Sequence, residues 1–130
     1  NPMGFPRLLN DDEPMEFVML RDRLLQFFQW EHRVRVLWTD GRPLPSGDNL
    51  ENLGPAWYGH SVAAWKGNTL VVNTVGLDER AWLDNQGNPK SFHARIEETW
   101  RRIDGNTLEL QLTLHDPEYY TAPYVGSKKT

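Results

Sequence analysis

The chain has 130 residues, the size of one domain. It has no cysteine, so disulfides are excluded, but a chain of this length can bury a stable hydrophobic core without them. Its 14 basic and 18 acidic residues give a formal net charge of −4. The sequence has no basic stripe of the kind that would indicate a binding surface for nucleic acid or anionic lipid. No apolar run approaches the ~20 residues of a membrane-spanning helix. We therefore expect one soluble domain with neither a nucleic acid nor a membrane as partner.

The predicted elements are short strands that follow a proline-rich arm. Residues 1–14 carry three prolines and an acidic cluster, which predicts an extended arm. After this arm, β-branched and aromatic residues dominate the apolar runs, and this favours strands over helices. Residues 43–55 and 76–90 are the longest irregular stretches, and the first of them is expected either to cross one end of a barrel or to form a lid. The predicted strands are residues 15–20, 23–30, 32–38, 59–65, 70–75, 92–103 and 107–115.

Tight turns separate these strands. Asp40-Gly41, Gly67-Asn68 and Gly105-Asn106 are turn signals. Gly67 and Gly105 are predicted to adopt positive φ in two-residue hairpins, a conformation that glycine adopts without steric cost.

Two strands alternate strictly between apolar and polar residues. Such alternation places successive side chains on opposite faces of a sheet. In residues 107–115, Leu108, Leu110, Leu112 and Leu114 define one predicted buried face. In residues 32–38, one apolar face carries His32, Val34, Val36 and Trp38, and the opposite face carries Arg33, Arg35 and Leu37.

The fold class predicted from this pattern is mainly β. Seven or eight short strands suit either a sandwich or a barrel, and the pairing of sequence neighbours favours an antiparallel up-and-down, lipocalin-like barrel with little helix. A closed barrel of eight strands can hold one small ligand. We assign residues 1–14 to the arm, 15–125 to the barrel domain and 126–130 to a frayed tail.

Three motifs suggest a family. They are Gly59-His60-Ser61-Val62, Trp65-Lys66-Gly67-Asn68-Thr69-Leu70-Val71-Val72 and Ala81-Trp82-Leu83-Asp84. Together they resemble a widespread family of uncharacterised bacterial proteins, many of which are exported. The resemblance implies a periplasmic or extracellular location, but it supplies no catalytic residue set.

Two histidines are candidates for acid–base chemistry. His60 follows the long irregular stretch and begins a strand, where a barrel would open. Imidazole titrates near neutral pH and suits proton transfer; the alternative is a partly buried histidine hydrogen-bonded to a backbone carbonyl. His32 lies on an otherwise apolar face, so it either lines a pocket or needs a buried partner.

Two carboxylates are candidates for the partner of these histidines. Glu98 shares a strand face with Ile96 and Trp100 and is predicted to point inward, where burial would prepare it as an acid or base. The alternative for Glu98 is an ion pair with Arg101, Arg102 or a cross-strand arginine. Asp84 either completes a carboxylate–histidine pair or is a turn residue.

Aromatic and basic side chains are the candidates for ligand binding. The chain has six tryptophans, and indole and phenol rings offer flat apolar surfaces with a polar tip. Trp57, Tyr58 and Trp82 lie on irregular segments and Trp38 on a strand, whereas Arg33 and Arg95 are candidates to hold an anionic group.

The function predicted from these residues is a pocket enzyme that performs cofactor-independent acid–base chemistry, of the lyase, isomerase or hydratase type, on a cyclic, aromatic or sugar-like compound. The first alternative is a non-catalytic, lipocalin-type ligand-binding protein. Others are a metal enzyme with His32, His60 and Glu98 as ligands, and a module that binds partners through edge strands. The sequence has no recognised metal spacing, nucleophile motif or phosphate loop, so no cofactor is predicted; the oligomeric state stays open, with a homodimer as one alternative.

Overall fold

The computed structural model describes residues 15–29, 33–79, 91–105, 107–116, 118 and 122–129. Strands dominate these ranges, as the β-branched and aromatic composition predicts. The elements are β1 (Met15–Met19), β2 (Arg23–Phe28), β3 (Arg33–Trp38), α1 (Gly47–Leu53), β4 (His60–Lys66), β5 (Thr69–Val75), β6 (Arg95–Asp104), β7 (Thr107–His115) and β8 (Tyr124–Lys129).

The strands form one curled sheet that makes a half-barrel, so the predicted mainly-β, barrel-like fold is confirmed. The order across the sheet is the order along the chain, from β1 to β8. Neighbouring strands are antiparallel except β3 and β4, which run parallel and share the single residue pair Trp38–Val62. In the described part of the chain, β1 and β8 are the two edges of the sheet. The half-barrel therefore has a weak internal seam, between β3 and β4, and an open side, between β1 and β8.

The connection between β3 and β4 contains α1, a helix that the sequence pattern does not indicate. Parallel neighbours need a long connection, because the chain must return to the same end of the sheet. The helix begins after Ser46, whose backbone is extended, and ends before Gly54, whose φ is +73°. Leu50 is its buried residue, so packing rather than local propensity selects the helix. No helix in the described ranges is long and apolar enough to cross a membrane.

The C-terminal boundary differs from the prediction. Residues 126–129, expected to fray, are part of β8 and pair with β7; Gly126, for example, lies opposite Leu112. The pairing satisfies the backbone donors and acceptors on the edge of β7 that faces away from β6, which would otherwise need water as their partner. Residues 1–14, expected to form an arm, lie outside the described residues.

The inner face of the half-barrel carries the hydrophobic core. The predicted face of residues 107–115 is confirmed, because Leu110 and Leu114 are buried and Leu108 and Leu112 pack against the same core. The other core residues are Leu24, Phe28, Leu37, Ala63, Leu70, Val72, Leu77, Ala94, Ile96 and Trp100.

The alternation in β3 has the opposite orientation to the one its apolar face suggests. Val34 and Val36 are 40% and 36% exposed, whereas Arg35 and Leu37 are 1% and 0% exposed. An arginine in the core is tolerated only when its charge is paired and its donors are satisfied. The inward orientation of β3 therefore depends on partners from other strands.

The two predicted glycine turns differ from each other. Gly67, between β4 and β5, has φ +61° as predicted. Gly105, between β6 and β7, does not adopt positive φ, so that prediction is wrong. The register of β6 and β7 shifts between Arg102 and Asp104, next to this turn, and such irregularities change the local path of a strand.

Candidate functional site

A cluster of polar side chains is buried on the inner face of the half-barrel. Its members come one each from the five consecutive strands β2 to β6, and each is at most 4% exposed. Buried polar groups require hydrogen-bond partners, and these residues supply one another's. We call the set the interior polar cluster: Gln26, Arg35, Ser61, Thr74 and Glu98.

The centre of the interior polar cluster is a bidentate ion pair. Arg35 Nη1 donates to Glu98 Oε1 at 3.0 Å, and Arg35 Nη2 donates to Glu98 Oε2. Trp100 Nε1 also donates to Glu98 Oε1, at 3.0 Å. Two parallel N–H···O bonds make this pair strong and fix its geometry. Both carboxylate oxygens of Glu98 are therefore engaged.

The remaining hydrogen bonds of the Arg35 guanidinium connect it to three other strands. Nη1 donates to Gln26 Oε1 at 3.2 Å, and Nη2 donates to Thr74 Oγ1 at 2.9 Å and to Ser61 Oγ at 3.3 Å. The hydroxyls of Ser61 and Thr74 bond to each other at 2.7 Å. Arg35 thus joins β3 to β4, β5 and β6 across the seam where the backbone ladder has one pair. Side-chain hydrogen bonds take the place of the missing main-chain ladder.

Glu98 lies where the sequence predicts it, on the inner face, and the predicted ion pair is present. Its partner is Arg35, on β3, rather than Arg101 or Arg102, on its own strand. Burial of two charges is costly, and the cost is offset when the geometry is bidentate and further donors complete the shell, as here. The arrangement suits a fixed charge pair that shapes the inner face.

His60 has the geometry of the alternative weighed from the sequence, a histidine bonded to a backbone carbonyl. Its Nε2 lies 2.8 Å from the Gly54 carbonyl oxygen, at the end of α1. Because a carbonyl only accepts, Nε2 carries the proton. The alternation of β4 places His60 on the opposite face of the sheet from Ser61, which is buried on the inner face. The structure therefore does not bring His60 and Glu98 together.

The glycines around His60 explain part of the Gly-His-Ser motif. Gly59 has φ +69°, and a Cβ there would lie 2.6 Å from Thr74 Cγ2 and 2.9 Å from the Val75 carbonyl oxygen. Gly76 has φ +72°, and its Cβ would lie 2.6 Å from His60 Cδ2. Real Cβ atoms do not approach so closely, so both positions require glycine. Close packing at this end of β4 and β5 accounts for the conformation of the motif.

Trp38 lies on the outer face of the sheet, with Val34 and Val36. The guanidinium carbons of Arg23 and Arg42 lie 4.2 and 3.7 Å from its ring centroid, a cation–π arrangement. Asp40 pairs with Arg42 at 2.7 Å, and the hydrogen bond from Arg42 lowers the pKa of the Asp40 carboxyl to about 2. Asp22 pairs with Arg23 at 2.9 Å. This group ties the turn before β2 to the turn after β3.

The other predicted ligand-binding residues are dispersed. Arg95 donates to Asn73 Oδ1 at 2.7 Å on the outer face, and Arg33 lies opposite Phe28 at the start of β3. Tyr58 packs against the core, and Trp57 is half-buried in the turn before β4. The predicted residues that lie outside the described part of the chain are His32, Trp82 and Asp84.

A half-exposed apolar surface flanks the interior polar cluster on the open side of the half-barrel. We call it the open flank; its residues are Met15, Phe17 and Met19 of β1 with Leu108 and Leu112 of β7. Most of them pack against the core while retaining access to solvent, and Met19 is 68% exposed.

Two residues of the open flank lie directly beside the polar cluster. Phe17 is the cross-strand partner of Gln26, and Leu112 is the cross-strand partner of Glu98. The Phe17 ring also meets Trp100 edge-on, with centroids 5.2 Å apart. Apolar walls next to a few oriented polar groups are typical of small-molecule sites.

No protein-family model, curated protein or solved structure matches the chain. The family resemblance of its motifs therefore stays a prediction. Among the described residues, no group of three or more His, Asp and Glu side chains is arranged to hold a metal ion.

Sequence reasoning did not identify Gln26, Arg35, Ser61 and Thr74 as one site. A weak signal exists, because each occupies an alternating position next to buried apolar residues: Gln26 lies between Leu24 and Phe28, for example. One inward polar residue on each of several strands is the pattern that indicates such a cluster.

Proposed function

We propose that the protein binds a small, largely apolar molecule at the open flank and does not transform it. The observation that carries this proposal is the register that sets Phe17 beside Gln26 and Leu112 beside Glu98. The molecule would cover half-exposed apolar side chains and direct one polar group toward the cluster. This is the lipocalin-type alternative considered from the sequence.

The contact between Gln26 and Met15 supports the entry of a polar ligand atom. Gln26 Nε2 donates to Met15 Sδ at 3.2 Å, and a thioether is a weak acceptor. A carbonyl or hydroxyl oxygen would accept this hydrogen bond better. Met15 lies on an edge strand, and methionine is unbranched and adaptable, so its side chain can give way to a ligand.

The charge of the cluster supports a neutral ligand. Arg35 and Glu98 compensate each other at the centre of the cluster, and the other members carry no charge. An ionic ligand would lose its hydration without gaining a counter-charge there. We therefore expect a neutral cyclic or aromatic compound with one carbonyl or hydroxyl group.

The same geometry favours binding over proton transfer. Arg35 occupies both oxygens of Glu98, and His60 lies on the other face with Nε2 bonded to Gly54. An acid–base pair must share one substrate within hydrogen-bond reach. These two residues, which the sequence pairs in an enzyme, face different sides of the sheet.

The proposal is tested by ligand binding to matched phenylalanine variants. Neutral cyclic and aromatic compounds with a carbonyl or hydroxyl group are screened by thermal shift, because a ligand of the native state raises the melting temperature. Hits are titrated against the natural protein, Phe17→Ala and Phe27→Ala. Phe17 lies on the inner face, whereas Phe27 is 37% exposed on the outer face.

We expect Phe17→Ala to weaken binding at least tenfold, about 1.4 kcal/mol, and Phe27→Ala to leave it unchanged. Near-ultraviolet circular dichroism of both variants controls for folding. Equal affinities in the two variants would refute the site. Conversion of a hit by the natural protein, followed by mass spectrometry, would restore the enzyme hypothesis.

A further inference from the structure

His93 stands between two glutamates from distant parts of the chain. Its Nε2 lies 3.1 Å from Glu51 Oε1, and its Nδ1 lies 2.9 Å from Glu118 Oε1. Glu51 belongs to α1, His93 precedes β6, and Glu118 follows β7. One imidazole thus connects three segments at the same end of the half-barrel.

The two hydrogen bonds to carboxylates require that the imidazole ring of His93 is charged. A carboxylate accepts hydrogen bonds, so both ring nitrogens must donate, and only the imidazolium form carries a proton on each. The neutral ring keeps one of the two bonds and turns a lone pair toward the other carboxylate. Loss of one proton therefore breaks one contact and creates a repulsion.

The helix that Glu51 belongs to has only a few other anchors in the described part of the chain. Leu50 is its buried residue, and the carbonyl of Gly54, which directly follows the helix, accepts a hydrogen bond from His60. With seven residues, α1 is too short to be stable without tertiary contacts. Its packing against the sheet is therefore sensitive to each tether.

We propose that Glu51, His93 and Glu118 form a pH-sensitive latch, which fastens α1 to the ends of β6 and β7 when His93 is protonated and loosens α1 when His93 is neutral. The charged groups that face the His93 ring within the described residues are Glu51 and Glu118, and the Phe92 ring contacts it edge-on. The latch is independent of the open flank.

The direction of the pH response follows from the partners. The hydrogen bonds to Glu51 and then to Glu118 raise the pKa of His93 above its ordinary 6.5. A raised pKa in the folded protein means that the protonated ring favours folding. The contribution of His93 to folding stability is fully present when the pH is below the pKa of His93 in the unfolded chain. It is lost as the pH rises through the pKa of His93 in the folded protein. The latch is thus closed in mildly acidic solution and open in alkaline solution.

The first test is an NMR titration of the His93 ring from about pH 5.5 to 8.5, a range that brackets the ordinary imidazole value. We expect the pKa of His93 to lie above that value in the natural protein. It should fall in Glu51→Gln and in Glu118→Gln, and it should reach the ordinary value in the double variant. Glu109→Gln, which removes the exposed Arg101–Glu109 pair, is the matched control and should leave it unchanged.

The second test is hydrogen exchange of the amides of Leu50 and Gly54, which close α1 onto Ser46 and Leu50. After correction for intrinsic exchange, their protection should drop several-fold as the pH rises through the titration of His93. In His93→Gln the drop should vanish. An ordinary pKa for His93, or a loss of protection that persists in His93→Gln, would overturn the latch.

Discussion

Arg35 shows how one side chain connects strands that the backbone scarcely joins. Its guanidinium donates to Gln26, Ser61, Thr74 and Glu98, which lie on four other strands. The planar fork of arginine, with five donors, suits such multiple contacts better than the point charge of lysine. The residue thus links the two parts of the sheet that meet at the seam.

The ion pair is tested by a double-mutant cycle on unfolding free energy, measured with urea. Arg35→Met should lower stability by about 3–5 kcal/mol, since it strands the Glu98 carboxylate in the core. Arg35→Met combined with Glu98→Leu should lose less than the sum of the single changes, because the second change removes the stranded charge. Strict additivity of the two losses would contradict the paired geometry.

The exposed pair of Arg101 and Glu109 provides the control for this cycle. Its charges are 3.0 Å apart, with side chains 58% and 31% exposed. A cycle with Arg101→Met and Glu109→Leu should give a coupling below about 1 kcal/mol, because solvent screens surface ion pairs.

Single residues also mark how far the sequence predicts the site. The inward orientation of Glu98 follows from its neighbours Ile96 and Trp100 on the same strand face, so local alternation suffices. Its partner Arg35 is 63 positions away, and no local pattern specifies a contact between nonadjacent strands. In β3 the alternation separates two faces but does not show which one points inward, and the buried ion pair of Arg35 determines the orientation.

At the level of elements, the two glycine turns give a matched pair of variants. A Cβ added at either glycine would meet no neighbouring atom within 4 Å, so the added volume is harmless at both positions. Gly67→Ala should nevertheless destabilise the protein by about 1–2 kcal/mol, because its φ of +61° is unfavourable for a residue with a side chain.

Gly105→Ala should leave the melting temperature unchanged or raise it slightly. The residue does not adopt positive φ, and alanine restricts the unfolded chain more than glycine does. Thermal unfolding of the two variants side by side checks both outcomes. A Gly105→Ala loss as large as that of Gly67→Ala would mean that the second turn requires a left-handed residue after all.

The elements that the sequence does not predict share a physical cause. In α1, Gly47, Asp48 and Asn49 are weak helix formers, and the helix depends on the packing of Leu50. In β8, Gly126 has low strand propensity, and the strand depends on pairing with β7. Tertiary contacts, rather than local preference, determine both elements.

At the level of the whole molecule, the sequence predicts a curved, barrel-like sheet but not its parallel seam or its open side. Short connections make spatial neighbours of β1, β2 and β3, of β4 and β5, and of β6 and β7, whereas longer connections join the remaining pairs in the order β1 to β8. The parallel seam depends on where the connection through α1 returns, and the open side depends on the curl of the whole sheet. The open flank arises from that curl, so its residues do not form a motif.

The proposed binding site is tested most directly by intermolecular nuclear Overhauser effects between a bound hit and methyl-labelled protein. Binding at the open flank predicts contacts from the ligand to the methyl groups of Met15, Leu108 and Leu112. The methyl groups of Val34 and Val36, which are exposed on the outer face, should show none. Contacts confined to Val34 and Val36, with none to the open flank, would contradict the proposed site.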